Sequence, residues 1–391
     1  MKRSLINRDV VGSIVCRVLA INYRRILEAI LLSVGMWCLV AVITGFVITG
    51  CSHRHEVDHS NEIPLERARN SPLNSIRLEL DSVIGSDVEE DYLFSIVRGL
   101  AIDNEDNLVV FDGILKNVRV FNTGGQLLRK HSLKDGDGPG EFRRASTFSL
   151  SHDKQRVYLY DMVSRRITIM DYATFDYVAQ IPIPETQHAV VKGASDRRIL
   201  VLYNQLDLGD GSLVHVFSES GTKLATFERR HPEYSTYLRQ NLQAFHHVSM
   251  AQSDSLIFLS FALPYDLRMY NRQYQLLRRF HLTPDFFGGT VRDGEWVYPS
   301  GYTSNLVVAD DNLLLQFVTD RENEETWLHS FDFAGRSRGV QRLVNNSWGD
   351  RFGLYSGAVD SKGRLYGVTY DPFPKIIRLR VVSGTPDLEG A

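Results

Sequence analysis

The sequence predicts an all-β fold, a six-bladed β-propeller of four-stranded blades. Three observations carry that expectation. Beyond Ile76 short apolar runs alternate with turn clusters of Gly, Asn, Asp and Ser, and no convincing helix intervenes. One strand unit recurs along the chain. A spare strand stands ahead of the first unit, and the last unit lacks one.

The fullest unit begins with an apolar strand ending at Ala101 and Ile102, followed by a polar turn from Asp103 to Asn107. LVVFD from Leu108 forms the second strand and VRVFN from Val118 the third. A Gly124–Gly125 turn leads into a fourth, QLLRKHSL from Gln126. The second strand recurs as VYLYD from Val157, ILVLY from Ile199, LIFLS from Leu256, LLLQF from Leu313 and LYGVT from Leu365, at intervals of 49, 42, 57, 57 and 52 residues. Third strands follow in step at Ile167, Leu213, Leu267, Trp327 and Ile376. Four strands per unit at such a period suit propeller blades and exclude helical solenoids.

The ends of the repeat suggest how a ring would close. After Val382 no fourth strand is legible, whereas IRLEL from Ile76 precedes the first unit. Pairing that strand with the last blade completes its sheet and removes an open edge that would invite aggregation. The expected domain therefore spans residues 75–383, with a frayed tail at 384–391.

Residues 1–50 read as a leader. No charge interrupts the run from Ala29 to Gly50, and Lys2, Arg3, Arg8, Arg17, Arg24 and Arg25 precede it, the order of an export signal. Ile48, Thr49, Gly50 and Cys51 form an ITGC string that resembles the bacterial lipobox. That resemblance implies cleavage before Cys51, lipid on its sulfur and acylation of the new N-terminus, and multiple acyl chains anchor stably. The apolar run is also long enough to stay as a spanning helix of about 20 residues. Either outcome exports the remainder, since the positive flank stays in the cytoplasm. Residues 51–74 are polar and carry two prolines, so they read as a tether; His53, His55 and His59 there read as solvated linker rather than metal ligands.

Composition narrows the chemistry. No cysteine follows Cys51, so the folded part has no disulfide, no thiolate metal site and no cysteine nucleophile. Beyond residue 50 the chain holds 38 basic and 45 acidic side chains, a balance that argues against nucleic acid as a partner. No metal site and no cofactor are expected.

One motif stands out. GDGPGEF, Gly136 to Phe142, lies between the fourth strand of the first blade and the first strand of the second. Together with the repeat and the ITGC string, it resembles exported six-bladed β-propeller lipoproteins of the NHL-like or TolB-like kind, over about Ile76 to Val382. Three glycines and a proline in seven residues specify a tight loop of unusual backbone angles. The string lacks the Lys and following helix of a phosphate-binding loop. Glu141 and Phe142 are expected to start the next strand.

Links of this type cross the face bearing the channel, so Asp137 and Glu141 are candidates for binding a cation or polar ligand. Arg98, Tyr302, Trp348 and Arg351 sit at equivalent links or first-strand approaches, as do Phe287, Gly288, Gly289, Gly349 and Asp350. Aromatic, Arg and Asp side chains around a shallow mouth suit a sugar or peptide. Packing between blades explains the aromatics equally well. His246 and His247 are adjacent on an expected strand, so they point to opposite faces and do not share a metal. No Ser-His-Asp order, HExxH string or close carboxylate pair stands out, although sites of that kind can assemble across blades. The expectation is a membrane-tethered envelope protein that binds a protein or carbohydrate ligand, or serves as a scaffold. The alternatives are an exported hydrolase or lyase acting at the channel mouth, and a subunit of an envelope complex.

Overall fold

The apolar runs find their reason in six radially packed sheets. The computed structural model describes residues 62–64, 76–184, 189–203, 211–229, 248–262, 266–281, 290–293, 296–299, 301–320, 325–343, 357–370 and 373–383. The chain divides into two compact units, Met1–Ser60 and Asn61–Ala391, and the described residues belong to the second. The leader, Cys51, His53, His55, His59, His246, His247 and the stretches 282–289 and 344–356 lie outside them.

Blade 1 consists of Val97–Ile102, Leu108–Asp112, Asn117–Phe121 and Leu127–Ser132, and blade 2 of Ala145–Leu150, Arg156–Asp161, Arg166–Asp171 and Tyr177–Pro182. Blade 3 is Ala189–Ala194, Arg198–Tyr203, Ser212–Ser218 and Lys223–Arg229. Blade 4 is Val248–Gln252, Leu256–Phe261, Asp266–Asn271 and Leu276–His281. Blade 5 is Gly301–Asp310, Leu313–Asp320, Glu325–Phe331 and Ser337–Leu343. Blade 6 joins Gly357–Val359, Arg364–Thr369 and Lys375–Ser383 to Ile76–Ile84. In that last sheet Leu80 stands opposite Leu379 and Ile84 opposite Ile376. Each second and third strand anticipated from the repeat is a strand here.

Strand alternation explains the packing. In blade 1, Val109 and Phe111 enter the core shared with blade 2, while Leu108 and Val110 enter the core shared with blade 6. Successive side chains on a strand point to opposite faces, so a sheet buried on both faces needs a continuous apolar run. The same device repeats at every interface. Clusters join blades 2 and 3, 3 and 4, 4 and 5, and 5 and 6. The cluster of Val368, Ile376, Leu100 and Leu108 joins blade 6 back to blade 1.

Three local elements differ from expectation. Within the expected tether, Glu62–Pro64 pairs parallel with Leu276–His281 as a fifth strand on blade 4, with Glu62 opposite Arg279. Pro64 is tolerated because an edge strand can spare an N–H. Thr290–Asp293 and Trp296–Pro299 form an extra hairpin between blades 4 and 5; its sequence signal was the glycine that opens the two residues between them, Gly294 and Glu295. Glu141–Phe142 does not start the next blade. It pairs parallel with Lys134–Asp135, and the inner strand of blade 2 begins at Ala145. Among the described residues the helical structure is the 3-10 turn Glu90–Tyr92, and no helix is long and apolar enough to cross a membrane.

His329, on the third strand of blade 5, is 8% exposed, and burial pushes its pKa down to about 4 from 6.5. The fold refuses a proton that the unfolded chain accepts below about 6.5. Stability is therefore complete above that pH and falls as pH drops toward about 4, by roughly 3 kcal/mol. Urea unfolding midpoints at pH 7, 5.5 and 4.5 are expected to converge in His329→Gln relative to the parent chain; an unchanged slope refutes this.

Candidate functional site

Successive turns of an antiparallel blade alternate between its two ends. Links that carry the chain from one blade to the next therefore share a face with the turns between second and third strands. This is the link face; the first-to-second and third-to-fourth turns lie on the opposite one.

The link from blade 1 to blade 2 is locked in place. Gly136 and Gly140 have φ of +140° and +74°, where glycine is at ease. The Glu141 carboxylate folds back over the loop and accepts a hydrogen bond from Gly138 N–H at 2.8 Å. A Cβ on Gly136 would lie 2.1 Å from Glu141 Oε2, so glycine there makes room for the clamp. Arg166, at the start of the third strand of blade 2, donates to the carbonyls of Asp137 at 2.7 Å and Glu141 at 2.8 Å. Phe142 is wholly buried in the core between blades 1 and 2. Asp137 is exposed, yet its carboxylate accepts from Arg143 Nε at 2.7 Å and Ser164 Oγ at 3.2 Å. Those bonds, from Arg143 above all, hold the carboxyl below the usual carboxylate range.

A second device on this face escaped the sequence reading. Asp112 ends the second strand of blade 1 and accepts from the backbone N–H groups of Ser95 at 2.6 Å, Ile96 at 3.4 Å, Ile114 at 3.0 Å and Leu115 at 2.9 Å. Asp161 does the same in blade 2, for Arg143 at 2.6 Å, Arg144 at 3.2 Å, Val163 at 2.9 Å and Ser164 at 3.1 Å. Each buried carboxylate ties an incoming link to the adjacent turn and satisfies donors that water would otherwise serve. The signal was present: LVVFD and VYLYD end in Asp at the same register.

Arg98 stands at the start of the innermost strand of blade 1, exposed, with its Cγ 2.6 Å from where a Cβ on Gly113 would lie. Among the described residues it makes no ion pair or side-chain hydrogen bond. Large apolar side chains crown the neighbouring turns and link: Ile114 is 57% exposed, Val163 52% and Val88 85%, with Leu115 and Leu93 also exposed. Tyr302 lies on Gly301–Asp310 opposite Thr319; its side chain, and all of Trp348 and Arg351, fall outside the described residues. The link thus commits Asp137 and Glu141 to internal bonds. It leaves Arg98 and the apolar tips facing solvent.

This architecture defines an all-β six-bladed propeller with a rigid, partly apolar link face. Residues 59–281 match the family model DUF5128, described as a 6-bladed beta-propeller, over more than half of the chain. The chain belongs to that family. Two solved structures share the fold. A Bacteroides fragilis protein predicted to be exported superposes with a TM-score of 0.53 at 14% identity, covering 82% of this chain and 99% of its own. A Bacteroides vulgatus member of the DUF4221 family superposes with a TM-score of 0.59 at 10% identity, covering 80% and 99%. Among curated proteins no sequence matches the chain.

Proposed function

We propose that the chain is an exported, membrane-tethered propeller of the bacterial cell envelope that binds a protein partner on its link face. The observation that carries this reading is the set of exposed apolar tips, Ile114, Leu115 and Val163, on turns held by Asp112 and Asp161. Solvent-facing aliphatic side chains cost little when a partner covers them, and turns already locked lose little entropy on binding. Arg98 adds an exposed cation for a partner's carboxylate or carbonyl. In this reading Ile76–Ile84 seals the ring against Lys375–Ser383. Cys51 carries the anchor, either as a lipidated N-terminus or behind a retained leader helix. Ser52, rather than the Asp of an inner-membrane retention signal, follows that cysteine and favours the outer membrane.

The test is affinity capture of the full chain from its native envelope, beside an Ile114→Asp/Val163→Asp variant, with mass analysis of the N-terminus. A partner recovered with the parent chain and lost from the variant is expected, on a chain beginning at acylated Cys51. Equal recovery from both overturns the assigned face. An unmodified full-length leader overturns the lipid anchor.

A further inference from the structure

The outer rim of the propeller repeats one irregularity from blade to blade. In blade 1 Phe121 stands opposite Leu127 and Val120 opposite Arg129, so Leu128 is an extra residue, a β-bulge at the start of the fourth strand. The same bulge recurs at Val178 in blade 2, Leu224 in blade 3, Leu277 in blade 4 and Arg338 in blade 5. A bulge at a sheet edge re-aims a side chain. The four aliphatic ones are 37–54% exposed, and Tyr177 and Leu276, each one position earlier, are exposed as well.

Fourth strands are the outer strands of their sheets, and sheet edges commonly carry charge to discourage pairing. Blade 5 does so with Arg338, whose guanidinium pairs with Asp332. Blades 1 to 4 place an aliphatic side chain at the same register instead. Each of these strands starts from a third-to-fourth turn, so all four side chains lie toward the face opposite the links. Recurrence at one register of four consecutive blades sets them apart from singly scattered surface residues.

The tether indicates what covers this row. Glu62–Pro64 runs parallel to the outer strand of blade 4, Glu62 opposite Arg279 and Pro64 opposite His281. Parallel strands run the same way, so the chain enters Glu62–Pro64 from the end of the blade where Leu276 and Leu277 lie. Cys51 precedes Glu62 by 11 positions, a reach of at most about 36–40 Å when fully extended, so an anchor there keeps this end of blade 4 close to lipid. Basic side chains accompany the row. Lys130, Lys223 and Arg278 lie within two positions of Leu128, Leu224 and Leu277, against Asp176 within two of Val178. Aliphatic side chains with an excess of cations beside them suit a bilayer surface that bears anionic headgroups.

We propose that this rim rests on the bilayer surface, with Leu128, Val178, Leu224 and Leu277 entering the headgroup boundary and the link face turned away from the membrane. The proposal rests on the reading that the chain is anchored at or before Cys51, and it adds an orientation to that anchor.

The test reconstitutes the purified full chain into vesicles of phosphatidylethanolamine and phosphatidylglycerol whose acyl chains carry a photoreactive diazirine, and maps the labelled residues by mass spectrometry. Residues 126–130, 176–180, 222–226 and 275–279 are expected to be labelled at least about fivefold more than residues 113–116 and 162–165 of the link face. Leu224→Asp combined with Leu277→Asp is expected to lower the rim labelling about fivefold, yet to float with the vesicles as the parent chain does, because the anchor is untouched. Both side chains are exposed, so this variant should fold, and circular dichroism checks it. The Ile114→Asp/Val163→Asp variant should keep the rim labelling. A chain that floats but is labelled only near its N-terminus, or equally on both faces, overturns the proposal and leaves the anchor standing. A rim unlabelled in vesicles but cross-linked to protein in the native envelope assigns the row to a protein and overturns the proposal too. A chain that fails to float overturns the anchor and this orientation with it.

Discussion

A chain beginning at Gly85 is expected to lose cooperative folding and to aggregate. It lacks Ile76–Ile84, which pairs with residues 376–383 of Lys375–Ser383, with Ile76 opposite Ser383 and Ile84 opposite Ile376. Leu78 is buried in the core between blades 5 and 6, and Ile84 in the core between blades 6 and 1, each 4% exposed. Burying two such side chains is worth about 3–6 kcal/mol, against a typical net stability of about 5–15 kcal/mol for a folded domain. The truncation also uncovers Lys375–Ser383 as a long unpaired edge, a template for intermolecular pairing. Urea unfolding and size-exclusion chromatography read the two effects. A synthetic peptide of residues 76–84 added in trans should restore part of the lost stability. A truncated chain that unfolds at the parent midpoint would show that the seam lies elsewhere.

The second large effect is expected at Asp266, which begins the third strand of blade 4 with no exposed side-chain surface. It accepts from Arg268 Nη2 at 2.6 Å and Nε at 3.0 Å, and from Arg279 Nε at 3.0 Å. Arg268 also pairs with Glu228 on the outer strand of blade 3, Tyr270 donates its hydroxyl to that same Glu228, and the guanidinium rests 4.5 Å from the Phe261 ring. Burial alone would push the Asp266 carboxyl up, but the two guanidiniums outweigh it and hold it below the ordinary range. Asp266→Asn keeps the shape and removes the charge, leaving two guanidiniums around a neutral amide. The expected loss is roughly 3–5 kcal/mol, the scale for breaking a buried pair from one side. High salt should not restore it, because a buried pair is poorly screened. The depressed carboxyl pKa means that this stabilisation is present above about pH 4 and is lost as pH falls further. Arg268→Met combined with Asp266→Asn should cost less than the two changes summed. A single-variant loss below about 1 kcal/mol would sink the argument.

The sequence by itself determined the architecture, because a propeller's demands are local and periodic. Central strands such as LVVFD and VYLYD are apolar at successive positions because each face meets a different neighbouring blade, as Val109 and Leu108 do. Turn clusters mark the boundaries for the same local reason, and IRLEL stood out as a strand without a unit of its own.

Only the tertiary structure decided what the polar side chains do. GDGPGEF suits a ligand site and a clamped corner equally well as a string; Glu141 becomes a clamp because its carboxylate turns back onto Gly138 and Arg166 arrives from the next blade. Asp112 and Asp161 look like strand ends until the incoming links supply their donors. Burial of apolar surface is non-directional and shows in composition. A hydrogen bond or charge pair depends on which distant residue arrives, and the packing of links and neighbouring blades supplies that.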